Sequence, residues 1–167
     1  MSNEVFHFHS SVGLKLAPEQ VAEEITAFMM AEPAHKYKIT LGTDSQKLGG
    51  TTADFVTAIV VHRVGRGGRY FWRRIEKDNF HTLRDRIIQE VLISLDIAQN
   101  FLKGLEDAKI KLAPLPAYDF EIHVDVGENG ETRAMIQELV GMVRAYNLEA
   151  KTKPESYAAS NIADRHT

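Results

Sequence analysis

Two β-branched runs, each carrying an aspartate at its end, constrain this chain more than any other feature. They are Ile39-Thr40-Leu41-Gly42-Thr43-Asp44 and Glu121-Ile122-His123-Val124-Asp125. Branched and bulky side chains favour the extended backbone, so each run reads as a strand with an acid at its mouth. Two further strand-like segments and a long amphipathic stretch separate them, an order that allows the two acid-bearing strands to lie side by side. Unit charges about 4 Å apart repel by about 4 kcal/mol at an effective dielectric of about 20. A divalent cation relieves that repulsion, so Asp44 and Asp125 point to a metal site.

The rest of the chain supports that order. Residues 18–31 place Val21, Ala22, Ile25, Phe28 and Met29 at helical spacing, with Pro18 in the first turn and Pro33 beyond the end. Residues 37–44 and 54–64 read as strands turned at Gly49-Gly50, and Gly65, Gly67 and Gly68 lead into an aromatic third strand at 69–75. Thr82 suits a helix N-cap, and Leu83, Ile87, Val91, Leu95, Ala98 and Leu102 keep helical period to Gly104. Beyond Pro114 and Pro116 the pattern predicts a strand at 120–126, a helix at 132–146 and a short strand at 148–152. A last, Ala-rich helix introduced by Pro154 runs to Asp164. A leading helix followed by βββαβαβα is an α/β arrangement, an antiparallel meander feeding a parallel portion. At 167 residues the expectation is a single domain spanning 1–167, with 1–36 as an N-terminal extension containing one helix.

Composition narrows the function classes. The absence of cysteine excludes disulfide frameworks, thiolate zinc sites and cysteine nucleophiles. No apolar run is long enough to cross a bilayer and the start lacks a secretory pattern, so the expectation is a soluble, cytoplasmic protein without a membrane partner. A net charge of −3 means that nucleic-acid binding has to rest on a local patch. Arg63, Arg66, Arg69, Arg73 and Arg74 around Tyr70 and Trp72 form one, with guanidinium groups for phosphates and rings for stacking. The competing reading is a charged hairpin edge that discourages aggregation, with Trp72 in the core. His7 and His9 make an HxH pair that, in isolation, resembles a zinc-hydrolase ligand pair, but the chain is too short for the barrel that usually carries it.

The stretches GTDSQ (42–46), HVDVGENGETRAMIQELVG (123–141) and KTKPESYAASNIADR (151–165) resemble those of the YkuK-like family, for which a ribonuclease H-like fold is predicted. The resemblance covers the chain from about Tyr37 to its end and implies a metal-dependent nuclease. Acids from the first strand, the long helix, the fourth strand and the last helix carry catalysis in that fold. The matching positions are Asp44, Glu90, Asp125 and Asp164, as ligands of magnesium or manganese. One departure is the lack of a histidine-bearing loop just before the last acid.

Each position also has a plainer explanation. Asp44 suits an Asx turn, Glu90 a solvated helix face, and Asp164 a fraying terminus, whereas on the functional reading Ser160, one turn earlier, is its helper. Asp85, the rival of Glu90, suits the first turn of its helix. The turn at 127–132 offers amides to a phosphate or is a simple Asn-Gly turn, and Lys153 contacts a scissile phosphate or is merely exposed. His123 lines the site or is a hydrogen-bonded core histidine. Three functions therefore compete. They are a nuclease acting on RNA, DNA or their hybrid, a non-catalytic nucleic-acid or protein-binding module, and a small-molecule phosphohydrolase. The sequence leaves the oligomeric state open.

Overall fold

The computed structural model describes residues 7–111, 114–128 and 130–153. The expected last helix, with Ser160 and Asp164, lies outside the described residues. The elements are β1 (Phe8–Ser10), β2 (Lys15–Leu16), α1 (Pro18–Ala31), β3 (Tyr37–Gly49), β4 (Thr52–Arg63), β5 (Gly68–Lys77), α2 (Leu83–Lys111), β6 (Tyr118–His123), α3 (Ile136–Ala145) and β7 (Glu149–Lys151). A 3-10 turn at Arg133–Met135 precedes α3.

The strands form one seven-stranded sheet in the order β2-β1-β5-β4-β3-β6-β7. The β3–β4–β5 meander is antiparallel, and β6 and β7 continue it in parallel, as the order of elements predicted. This is the ribonuclease H-like α/β arrangement, with two differences in extent. The strand at Asp44 does not end there: β3 runs on to Gly49 because β4 supplies partners as far as Thr52. The N-terminal extension also contributes two strands, of which β1 pairs with β5 through His9 and Trp72. Short strands of two and three residues carry too little period to be read from sequence.

One face of the sheet packs on α1 and α2. Ile39, Leu41, Phe55, Ile59 and Phe71 alternate onto it and are fully or almost fully buried. Burial at this scale contributes roughly 1.5–3 kcal/mol for each large side chain. Polar contacts fix where α2 lies: Thr43 Oγ1 is 2.8 Å from both Thr57 Oγ1 and Ser94 Oγ, all three residues being buried. The helix does not stop at Gly104. A Cβ there would come within 2.7 Å of Ala22 Cβ, so the glycine lets α1 and α2 approach closely, and α2 continues to Lys111. At its start, Thr82 Oγ1 accepts the Asp85 amide at 3.1 Å, which bears out the cap.

Candidate active site

The parallel register of β3 and β6 sets the positions of the two strand acids. Its last pair is Gly42 with His123, so Asp44 and Asp125 each lie two residues beyond it. Beyond that point β6 has ended while β3 continues. Asp44 turns back on its own chain, its Oδ1 accepting the Ser45 amide at 2.9 Å. Ser45, one residue on, reaches α2: its Oγ donates to Glu90 Oε1 at 2.6 Å. Arg86, one turn earlier on α2, lies 3.4 Å from both the Ser45 carbonyl and Oγ.

Glu90 is only 6 % exposed, which settles its two readings against a solvated face. Burial raises its carboxyl first, the charges of Asp44 and Asp125 raise it further, and the Ser45 hydroxyl and Arg86 oppose them. The net result is a group pushed up to about 8. Glu90 is therefore largely protonated at neutral pH, which is what a site with more carboxylate than compensating charge does to its most buried member.

Asp125 has a cation of its own. Lys153 Nζ lies 2.8 Å from Asp125 Oδ1, an ion pair by distance without the angle of a good hydrogen bond. The Asp125 carboxylate holds the Lys153 ammonium above its ordinary range, and Asp44 and Glu90 add to the effect. Glu90 and Asp125 share a narrow crevice with Thr43, Ser94 and His123. The His123 ring is 4 % exposed and its Nε2 meets Glu121 Oε2 at 3.1 Å, while Nδ1 has no hydrogen-bond partner. Burial lowers the His123 pKa against the pull of Glu121, so the ring is neutral and Nε2 is the donor. Burial raises Glu121, but His123 and Lys38, the latter at 3.2 Å, outweigh it and the net shift is downward.

The donor chemistry suits a hard divalent ion, since Asp44, Glu90 and Asp125 all offer carboxylate oxygens. Their arrangement is a separate matter. Among the described residues, no three acid or histidine side chains are gathered to hold a metal ion. Glu90 turns to Ser45 and Asp125 to Lys153.

The arginine-rich strand does not form one surface. Side chains alternate along β5, and the register places Arg69 and Arg73 on the helix-packed face and Tyr70, Trp72 and Arg74 on the other. The Arg69 guanidinium lies 5.2 Å from the Phe28 ring, and that of Arg73 lies 5.4 Å from Phe8, with its pKa lowered by burial against the pull of Asp96. Trp72 stacks on His9 with centroids 4.4 Å apart and packs against buried Val56 and Ala58, so His9 belongs to a ring stack. Arg74 Nε meets Asp54 Oδ2 at 2.5 Å, and Asp54 is fully buried. Asp54 escaped the sequence reading, although an acid inside the apolar run 53–61 is a visible signal. Ser45 was missed as a partner of Glu90, and Arg86 as a partner of Ser45, because these contacts join β3 to α2 across more than 40 positions.

The ribonuclease H-like family matches residues 20–167. The chain belongs to that family. It is 34 % identical over 168 residues to the Uncharacterized protein YkuK of Bacillus subtilis (strain 168), a match covering 97 % of each chain. No solved structure matches. The ribonuclease H-like assignment agrees with the observed sheet order, in which Asp44 lies on β3, Glu90 on α2 and Asp125 just beyond β6. Asp164 lies within the matched span and outside the described residues. No helix among the described residues is long and apolar enough to cross a membrane.

Proposed function

We propose that this ribonuclease H-like protein is a nuclease that hydrolyses phosphodiesters of nucleic acid with the help of a divalent cation. The observation that carries this reading is Glu90. A buried carboxyl pushed up to about 8 beside Asp44 and Asp125 is a poor way to stabilise a fold and a suitable way to hold a cation. Asp44, Glu90 and Asp125 would hold magnesium or manganese, with Asp164 as the fourth acid. The ion, when bound, would activate water and stabilise the leaving oxygen.

The chain's own residues have separate tasks. Ser45 orients the Glu90 carboxyl, and Arg86 braces Ser45 through its carbonyl and hydroxyl. The exposed part of Arg74, anchored by Asp54, offers its remaining N–H groups to substrate phosphate. Trp72 and Arg74 share a face and would act together, whereas Arg69 and Arg73, turned to the helices, support the fold.

The deciding experiment measures cleavage of labelled RNA, DNA and hybrid by the wild type and Asp44→Asn in magnesium or manganese. Turnover that disappears in the variant, with an unchanged melting curve, supports the nuclease. Equal rates in both proteins remove the assignment. One observation favours a second reading, a binding module without turnover: Lys153 already supplies Asp125 with a cation. That reading predicts nucleic-acid binding that weakens with salt and with Arg74→Gln, and no cleavage in any metal.

A further inference from the structure

We infer that Lys153 is the resident counter-ion of the acid cluster, and that a divalent cation enters only by displacing its ammonium from Asp125. The inference rests on the proposed metal reading of the site. Lys153 follows β7, and two backbone hydrogen bonds extend the β6–β7 pairing as far as Lys153. The Val124 amide donates to the Lys151 carbonyl at 2.9 Å, and the Lys153 amide to the Val126 carbonyl at 2.8 Å. These bonds carry Lys153 alongside Asp125, and its stem lies over Gly127, where a Cβ would come within 3.0 Å of Lys153 Cβ. A glycine there keeps the lysine close, and the ammonium ends 2.8 Å from Asp125 Oδ1.

The pair is anchored at one end and free to exchange at the other. Asp125 is 24 % exposed at its side chain and belongs to the crevice shared with Glu90 and His123, whereas the Lys153 side chain is 58 % exposed. Its backbone is pinned, but its head group can turn into water without breaking the fold. An ion pair whose lysine is this exposed holds its cation weakly. The lysine therefore neutralises the cluster when no metal is present and yields to an ion of higher charge. This also accounts for the absence of a gathered ligand set among the described residues: Asp125 is turned to Lys153.

Calorimetric titration with manganese alone tests this on the full chain, comparing wild type, Lys153→Met, Lys153→Arg and Asp125→Asn. Displacement predicts manganese binding roughly three- to tenfold tighter in Lys153→Met than in wild type. Lys153→Arg stays near wild type and Asp125→Asn binds much more weakly. If Lys153→Met fails to fold, Lys153→Gln serves in its place. Wild-type binding that Lys153→Met leaves unchanged or weakens, while Asp125→Asn abolishes it, overturns the counter-ion and spares the metal site. If no protein binds manganese, or if Asp125→Asn binds as well as wild type, the metal reading fails and takes this inference with it.

Discussion

Clustered charges lie toward both ends of the β3–β4 hairpin, and the two clusters differ in how they are satisfied. At one end Tyr37 stands opposite Arg63. The Arg63 guanidinium pairs with Glu32 at 2.8 Å, donates to the Tyr37 hydroxyl at 3.0 Å and the Phe28 carbonyl at 2.8 Å, and covers the Phe28 ring. Each of its nitrogens has a partner. Toward the other end Asp44, Glu90 and Asp125 face Lys153 and Arg86, and burial, with the two aspartates adding to it, keeps a proton on Glu90. A planar cation with five donors can be satisfied completely by fold elements. Ionised carboxylates only accept, so a group of them needs donors from elsewhere or has to take up a proton. The first cluster acts as a clamp between α1 and the hairpin, and the second stores a demand for positive charge.

Variants at the two ends should therefore separate, and the largest effect is expected on turnover. Asp44→Asn is expected to lower nuclease activity by about 100-fold or more while leaving the melting temperature within a few degrees. Arg63→Ala should do the reverse, so a loss of activity in Arg63→Ala beyond its unfolded fraction would break the comparison.

Next in size is the pH response of the metal-free protein. The Glu90 carboxyl releases its proton near 4.5 when unfolded and near 8 when folded. Between those values the folded state holds more protons, so stability is greatest below about 4.5 and falls as pH rises toward 8. The swing is on the order of 4 kcal/mol, and Glu90→Gln is expected to flatten it. Denaturant melts at pH 5 and pH 8 check this, and an equal slope in both proteins would place the excess charge elsewhere.

Breaking the clamp follows. Arg63→Ala is expected to cost about 3 kcal/mol in chemical denaturation, because Glu32 and two backbone or phenol acceptors lose a largely buried partner. The smallest effect belongs to Ser45→Ala, which removes the donor to Glu90 Oε1 at a cost of about 1 kcal/mol. Its more telling sign is a further rise in the Glu90 pKa, since the hydroxyl is what lowers it now. A carboxyl resonance titrating at or below the wild-type value would show that Ser45 does not set the charge of the cluster.

Much of this architecture could be read in advance. The order of periodic segments, with the turn glycines between 49 and 68, was enough to place the meander, the crossover helix and the parallel strand that follow one another in the sheet. The adjacency of the strands that lead to Asp44 and Asp125 followed from that order, because a crossover through α2 returns β6 to the side of β3. The arginine patch was misread as one surface although strand alternation was visible in the sequence. Five arginines in twelve residues looked like a cluster, but adjacent positions on a strand point to opposite faces.

Local chemistry in the sequence determined the elements, because period, turn residues and caps act within a few positions of one another. It also determined which residue types stand at the strand ends. Tertiary structure alone decided that Glu90 is buried against Ser45, that Asp54 holds Arg74, that β1 covers β5, and that Lys153 reaches Asp125. Those contacts join different elements, and only the assembled sheet and helices set their distances. The charge state of the site depends on distance and burial, so it belongs to the fold and not to any segment of the chain.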